Sequence, residues 1–254
     1  MNETTLPDTT DTARRLLLKG AVASVGMGLL PGFKLIGVAH AKTDDSKASS
    51  TQRWGLLIDT SKCATGCTSC VDGCNKEFNI PKSENPSQTV QFIRKVELKN
   101  KLTERVVSLP LMCQHCENAP CVDVCPTGAS MRRADGIVRV DMHRCIGCRY
   151  CMLACPYKAR SFIHEPTANQ PGHAPRGVGA VDSCTLCVHR IDENRDNPRN
   201  PACVEACNAA GHKAMIFGDL KDPKSQISKE LSTQQSRELR ADLNLNGSVR
   251  YRGI

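Results

Sequence analysis

Hydrophobic and polar residues alternate over short runs in the middle of the chain, as they do in strands that bury one face. Residues 89–98 and 104–109 are two such runs and predict a pair of strands joined by a polar turn. Residues 130–133 and 137–140 predict a second pair, because the Asp-Gly dipeptide between them favours a tight hairpin. The pattern therefore predicts short strands that pair with their neighbours in sequence.

The last third of the chain has a different pattern. Residues 165–179 are rich in proline and glycine and predict a surface loop. Residues 222–254 contain no cysteine; within this tail, residues 225–239 are a candidate helix and residues 249–254 a candidate extended segment. We expect the tail to clasp its own domain or a partner rather than to carry chemistry.

The N-terminal segment has the order of an export signal. Arg14 and Arg15 precede a mainly apolar stretch over residues 20–38, and Ala39-His40-Ala41 follows it. A charged region, an apolar region and small residues at a cleavage site define a signal peptide, and paired arginines are typical of the Tat route. The alternative is a membrane anchor.

The apolar stretch is a poor spanning helix, because it contains five glycines, Pro31 and Lys34. The sequence therefore predicts a Tat signal peptide over residues 1–41 and a flexible leader over residues 42–53. The mature protein is expected in the periplasm.

Composition argues against an ordinary apolar core. Aromatic residues make up only 4% of the 254 residues, whereas cysteine occurs 16 times, so something besides bulky apolar side chains must hold the chain together. The formal net charge of +8 permits a membrane surface or an acidic partner. Lys and Arg are scattered and few aromatics lie among them, which argues against nucleic-acid binding.

The sixteen cysteines form four groups of four, here called quartets one to four, and each quartet ends in C-x3-C. They are Cys63, Cys67, Cys70 and Cys74; Cys113, Cys116, Cys121 and Cys125; Cys145, Cys148, Cys151 and Cys155; and Cys184, Cys187, Cys203 and Cys207. Quartet three, followed by Pro156, matches the bacterial ferredoxin run C-x2-C-x2-C-x3-C-P.

This spacing suits a cubane [4Fe–4S] cluster. Closely spaced cysteines on a tight loop can bind three irons, and the fourth points away toward a neighbouring cluster. We expect that fourth cysteine at the start of a helix. Four quartets therefore predict four [4Fe–4S] clusters, arranged in two pairs.

The residues after each quartet favour one pairing. Pro126 and Pro156 follow quartets two and three, whereas Asn75 and Asn208 follow quartets one and four. The predicted scheme therefore pairs quartet two with quartet three, and quartet one with quartet four. The predicted ligand sets are Cys113, Cys116, Cys121 and Cys155; Cys145, Cys148, Cys151 and Cys125; Cys63, Cys67, Cys70 and Cys207; and Cys184, Cys187, Cys203 and Cys74.

Two other uses of the cysteines stay open. Disulfides suit an exported chain with an even number of cysteines, although two-residue spacing fits a metal better. Zinc sites also use C-x2-C pairs, and quartet four, with its long gap between Cys187 and Cys203, is the most tenable zinc site.

No other chemistry is indicated by the motifs. The sequence has no C-x-x-C-H motif for covalent haem, no Gly-rich nucleotide loop and no Ser-His-Asp arrangement. His115 and His143 are expected to pack near cluster sulfurs rather than to bind metal. Since each cluster has four cysteine candidates, we expect electron transfer without a small-molecule substrate. Basic residues near quartets two and three suggest a solvated face, a docking surface for an acidic redox partner, or a field that raises the cluster potential; they are Arg132, Arg133, Arg144, Arg149, Lys158 and Arg160.

At these motifs the chain resembles the four-cluster iron–sulfur subunits of the NrfC/DMSO-reductase-B type, over about residues 54–231. The segments that carry the resemblance are Cys113-Gln114-His115-Cys116, Ala119-Pro120-Cys121, Arg144-Cys145-Ile146-Gly147-Cys148-Arg149-Tyr150-Cys151-Met152, Ala154-Cys155-Pro156-Tyr157, Pro201-Ala202-Cys203-Val204-Glu205-Ala206-Cys207, Phe217-Gly218-Asp219-Leu220 and Asp222-Pro223.

The resemblance implies an α+β, ferredoxin-like fold over residues 54–221, built from two nested bicluster units. An inner unit, about residues 105–165, would be inserted into an outer unit formed by residues 54–104 and 166–221, followed by the tail. Three further features resemble the exported subunits of Dsr transmembrane complexes of dissimilatory sulfur metabolism. These are the widened spacing between Cys63 and Cys67, the Tat leader on a separate small subunit, and the Asn-Ala-Ala-Gly-His sequence after Cys207.

By resemblance, the chain would relay electrons on the outer face of the cytoplasmic membrane. Its partners would be an NrfD-type quinone-reactive membrane subunit, a multihaem cytochrome c subunit and the other Dsr subunits. Two alternatives remain: the iron–sulfur subunit of a periplasmic molybdopterin oxidoreductase, for example of the polysulfide or tetrathionate type, and a non-redox adaptor held by zinc or disulfides.

Overall fold

The computed structural model of the protein describes residues 48–81, 84–85 and 87–254. The predicted Tat signal and the first half of the predicted leader, residues 42–47, lie outside these residues. The described strands are β1 (Trp54–Asp59), β2 (Ile93–Lys99), β3 (Val106–Met112), β4 (Ser130–Arg132), β5 (Val138–Val140), β6 (Arg160–Phe162), β7 (Val181–Ser183), β8 (Met215–Asp219) and β9 (Val249–Arg252). The helices are α1 (Ser69–Glu77), α2 (Pro120–Asp123), α3 (Tyr150–Ala154), α4 (Val188–Glu193), α5 (Ala202–Ala209) and α6 (Gln226–Thr233), with 3-10 turns at Thr60–Lys62 and Ala241–Leu243. The expectation of an α+β fold with small sheets is confirmed.

A three-stranded sheet joins the two ends of the described chain. Its central strand β1 is buried along its whole length, because it is an almost wholly apolar run. β8 pairs with it antiparallel, with Ile58 opposite Met215. β9 pairs with its other edge in parallel, with Ile58 opposite Tyr251. The predicted extended segment of the tail is therefore a strand that clasps its own domain.

Three two-stranded sheets make up the other strands of the described residues. β2 and β3 form the first predicted hairpin, although both strands begin and end slightly later than the alternation suggested. β4 and β5 form the second, around the predicted Asp-Gly turn. β6 pairs with β7 across the irregular segment 165–179, as expected of a loop.

The tail helix is shorter than its sequence pattern suggests. α6 begins at Gln226, where the Ser225 hydroxyl accepts a hydrogen bond from the Ser228 amide, and ends at Thr233. The chain then turns back so that the amides and carbonyls of Arg237 and Tyr251 bond to each other. Pairing with the sheet thus replaces the last predicted turns of helix.

Cysteine side chains form a substantial part of the buried core, beside Leu56, Ile58 and Tyr251. No helix within the described residues has the length and apolar character needed to cross a membrane.

Candidate metal centres

Twelve thiols line three cavities, four to each cavity. One cavity is lined by Cys63, Cys67, Cys70 and Cys207. A second is lined by Cys125, Cys145, Cys148 and Cys151, and a third by Cys113, Cys116, Cys121 and Cys155. The identical thiol counts indicate the same kind of guest in all three.

The remaining four thiols also converge. Burial raises the pKa of the Cys74 thiol, and the neighbouring Cys184, Cys203 and Cys187 raise it further. All four side chains are buried. The structure thus brings together the members of each predicted set, in each case three cysteines of one quartet and the last cysteine of its partner quartet.

One residue with a left-handed backbone conformation shapes each of the four loops. It lies directly before the second cysteine of each quartet, and the four residues with this positive φ are Gly66, His115, Gly147 and Leu186. This conformation turns the backbone sharply, so that cysteines on both sides of the turn face one cavity. Histidine and leucine occupy it at a conformational cost that convergence of the loop must offset.

The expectation that the fourth cysteine of a quartet lies at the start of a helix is wrong. The third cysteine of a quartet, not the fourth, lies in the first turn of its helix, as Cys70 does in α1 and Cys203 does in α5. The fourth, Cys74 or Cys207, follows one turn later because four residues span about one helical turn. The same face of each helix therefore serves two sites.

α1 and α5 pack closely enough to exchange these fourth cysteines. A β-carbon added at Gly73 would lie 2.6 Å from the β-carbon of Ala206 and 3.2 Å from the carbonyl oxygen of Ala202. Glycine at this position therefore permits the close approach. Cys74 of α1 reaches the site of quartet four, and Cys207 of α5 reaches the site of quartet one.

Backbone amides donate hydrogen bonds to the sulfurs. The Ser130 amide lies 3.3 Å from Cys125 Sγ, the Val181 amide 3.4 Å from Cys145 Sγ and the Ala214 amide 3.3 Å from Cys207 Sγ. Amides of Ala159, Leu186 and Ala202 donate in the same way to Cys155, Cys184 and Cys187. Such donors stabilise charge on sulfur and influence the reduction potential of an iron–sulfur site.

The chemistry of these sites fits an iron–sulfur guest. Burial raises the pKa of Cys70 and Cys184 to about 11, and that of Cys116 and Cys187 to about 12. Buried thiols with such pKa values stay neutral unless a metal supplies positive charge, and the metal binds the thiolate form. All sixteen cysteines lie in the described residues and are free thiols.

The widened loop of quartet one is held by the first hairpin. Lys95 Nζ donates to the carbonyl oxygens of Ala64 and Cys67. The Gly66 amide donates to Glu97 Oε1 at 2.9 Å. Two charged side chains from β2 thus fix the loop that contains the extra residue.

The two histidines near the quartets have different surroundings. His115 is buried and its Nδ1 accepts a hydrogen bond from the Val138 amide at 3.1 Å. Burial lowers its pKa to about 4, so the ring is neutral. His143 is exposed, and its backbone amide bonds to Asp141.

The predicted basic neighbourhood is not one surface. Arg132, Arg144, Arg149 and Lys158 are exposed, whereas Arg133 is half-buried in ion pairs with Asp135 and Asp192. Arg160 is buried between two of the thiol cavities, which corrects its assignment to a solvated or docking face.

Two ion-pair networks near the sites were not anticipated from the sequence. Arg190 binds both carboxylate oxygens of Glu77 at 2.7 Å, and His189 contacts the same carboxylate at 2.8 Å. In the predicted loop, Arg176 is buried and forms a 3.0 Å ion pair with Asp182 of β7. The pair of Arg190 and Glu77 joins segments distant in sequence. Arg176 makes a distant contact as well, since it donates to the carbonyl oxygen of Phe78. Neither distant contact leaves a local signal.

Comparison with known proteins agrees with this chemistry. Residues 105–220 match the family model described as a 4Fe-4S dicluster domain. The chain is 40% identical to the Hdr-like menaquinol oxidoreductase iron-sulfur subunit 1 of Archaeoglobus fulgidus, over 94% of this chain and 96% of that protein. It is 39% identical to a subunit of the tetrathionate reductase of Salmonella typhimurium, over 80% and 74%. It is also 39% identical to protein NrfC of Escherichia coli, over 70% and 71%.

Converging buried thiols and a dicluster domain define an iron–sulfur protein. The chain belongs to the NrfC/DMSO-reductase-B-type family of iron–sulfur subunits, and the resemblance predicted from its motifs is confirmed. Three of these relatives are named as subunits of an oxidoreductase or a reductase, which agrees with a part in electron transfer.

Proposed function

We propose that the chain is an electron-transfer subunit carrying four [4Fe–4S] clusters. The ligand sets are Cys63, Cys67, Cys70 and Cys207; Cys184, Cys187, Cys203 and Cys74; Cys113, Cys116, Cys121 and Cys155; and Cys145, Cys148, Cys151 and Cys125. The observation that carries the proposal is the exchange of one cysteine between quartets at cavities lined by four thiols. When bound, each cluster supplies a one-electron carrier.

In this function the protein's own residues bind the clusters and shield them from water. Four cysteines fill the protein-derived ligand positions of a cubane, so each site is suited to hold an electron rather than a substrate. Most thiols are buried, which excludes water, whereas Cys148 is exposed. The site that contains Cys148 is therefore our candidate for exchange with a partner.

The nested arrangement belongs to the same proposal. An inner bicluster unit over about residues 105–165 lies, in this scheme, between the two parts of an outer unit, residues 54–104 and 166–221. The pairing of β1 with β8 and the packing of α1 on α5 support the outer unit. Contacts between α2 and α3 support the inner one.

For the physiological setting, we propose a Dsr transmembrane complex of dissimilatory sulfur metabolism. After Tat export, the chain would relay electrons between an NrfD-type quinone-reactive membrane subunit and a multihaem cytochrome c subunit. The motif likeness described above supports this assignment, and so does the near full-length relative named as part of a menaquinol oxidoreductase.

A second candidate is the iron–sulfur subunit of a molybdopterin oxidoreductase. The likeness to the tetrathionate reductase subunit of Salmonella typhimurium, at 39% identity, favours it. Both candidates assign the same chemistry to this chain and differ in its partners.

Two measurements test these proposals. Iron and acid-labile sulfide in the anaerobically purified chain are expected at about sixteen each per chain if four cubanes form. A colourless protein that contains zinc, or one with far fewer clusters, would refute the electron-transfer proposal. Affinity purification of the tagged chain from membranes of its native cells then separates the settings: haem c in the purified complex supports the Dsr-type partners, whereas molybdopterin supports the second candidate.

A further inference from the structure

Three residues occupy the same structural position after their quartets. Ser130, Arg160 and Met215 are each the first residue of the strand that follows the last cysteine, in β4, β6 and β8. Amides at or directly before this position bond to that cysteine: Ser130 to Cys125, Ala159 to Cys155 and Ala214 to Cys207. The backbone environment is thus similar, and the side chains differ in charge.

Arg160 lies between the two sites of the proposed inner unit. Its side chain lines both the cavity of Cys113, Cys116, Cys121 and Cys155 and the cavity of Cys125, Cys145, Cys148 and Cys151. Nη2 donates to Cys121 Sγ at 3.1 Å and to Ser130 Oγ at 2.7 Å. One guanidinium group therefore contacts the walls of both cavities.

The charge of Arg160 has no carboxylate partner within salt-bridge distance among the described residues, although the residue is only 5% exposed. Its Nη1 is buried and has no acceptor in hydrogen-bonding geometry among the described residues, and the Cys151 thiol of the second cavity lies beside the guanidinium. A buried cation with a free donor requires an anionic acceptor nearby. Sulfide and thiolate sulfurs of an iron–sulfur cluster are acceptors of that kind.

We propose that the buried positive charge of Arg160 raises the reduction potentials of both inner clusters. This inference rests on the proposed function. Reduction adds one electron from a donor protein to a cluster and no proton, so the site gains one negative charge. A buried guanidinium stabilises that charge more than it stabilises the oxidised state, because water screens it little. One residue thus acts on two clusters.

The outer pair offers an internal contrast. Met215 occupies the corresponding position, is buried and lines the cavity of Cys63, Cys67, Cys70 and Cys207. Its thioether carries no charge. Replacing Arg160 by a neutral residue should therefore shift the inner pair and leave the outer pair in place.

The test is an EPR-monitored redox titration of the anaerobically purified full chain. Arg160→Gln is compared with Arg144→Gln, which removes the same charge from an exposed side chain beside quartet three. For Arg160→Gln, two of the four potentials are expected to fall and two to stay. For Arg144→Gln, the shifts are expected to be smaller, because solvent screens that guanidinium.

Several outcomes decide the inference. An Arg160→Gln protein with full iron content and unchanged potentials overturns it, as do four potentials that shift equally. If Arg160→Gln fails to retain iron, Arg160→Lys is measured instead. Retained iron and the same order of the four potentials as in the wild-type chain support a role for the charge. Loss of iron from Arg160→Lys as well shows a merely structural role. Too few clusters in the wild-type chain would instead refute the proposed function itself.

Discussion

Two glycines at equivalent loop positions allow a controlled test of why the metal loops need glycine. Gly66 and Gly147 each precede the second cysteine of their quartet, with φ of 74° and 69°. A β-carbon added at Gly66 would meet no atom within 4 Å. At Gly147 it would lie 1.9 Å from the carbonyl oxygen of Gly179. Gly66→Ala is therefore the matched control for Gly147→Ala.

The two substitutions share one cost and differ in another. A left-handed alanine costs about 1–2 kcal/mol at either position. Forcing an extra atom into filled space adds about 1–3 kcal/mol at Gly147 alone. The obstructing atom belongs to the backbone and cannot rotate away. The neighbouring Val181 amide, which bonds to Cys145 Sγ, would be displaced with it.

The expected difference of about 1–3 kcal/mol corresponds to a lifetime of the loaded site that is roughly 5- to 160-fold shorter in Gly147→Ala than in Gly66→Ala. After anaerobic purification, iron and sulfide content are measured, and loss of visible absorbance is followed in mild denaturant. Equal lifetimes and equal iron content in the two variants would show that the close approach to Gly179 does not matter.

Three further outcomes are expected. Cys74→Ser should remove about four irons from a chain that holds about sixteen, and unchanged iron would contradict the proposed exchange of cysteines between quartets. Arg176→Met should lower the apparent unfolding temperature at a fixed scan rate, because breaking a buried ion pair costs about 3–5 kcal/mol. The double variant with Asp182→Asn should recover part of that loss, and no recovery would show that the pair is not coupled. Tyr251→Phe should lower the free energy of unfolding by about 1–2 kcal/mol, because the hydrogen bonds of its hydroxyl with Pro110 and Gln114 are lost. The loss is measured as faster bleaching of the visible absorbance in denaturant. An unchanged rate would show that these bonds do not limit stability.

Local patterns predicted the local parts of the fold. Both hairpins follow from alternation and a turn that lie within a few residues of each other. β1 was not predicted, although Trp54 to Ile58 is an apolar run, because its partners lie at the other end of the chain. Long-range pairing also shortened α6, since Arg237 bonds to Tyr251 rather than extending the helix.

In the candidate sites, too, the features encoded locally were predicted and those that depend on distant contacts were not. Cysteine spacing predicted that the first three thiols of each quartet face one site, because the turn that brings them together lies within the quartet. The partner of each fourth cysteine was predicted instead from the residues that follow the quartets, and the assignment of ligands stays a prediction. Arg160 was grouped with exposed basic residues, since its burial depends on two quartets meeting. The networks of Arg176 and Arg190 were not predicted because they depend on contacts with Phe78 and Glu77, which lie far away in sequence.

The sheet topology also constrains the order in which the fold can form. β9 follows β1 by most of the described chain, yet it pairs with the parallel edge of β1. That edge therefore stays unpaired until β9 has been synthesised, and long-range pairing of this kind forms slowly. A chain interrupted before β9 would expose the strand edge, which is a template for aggregation.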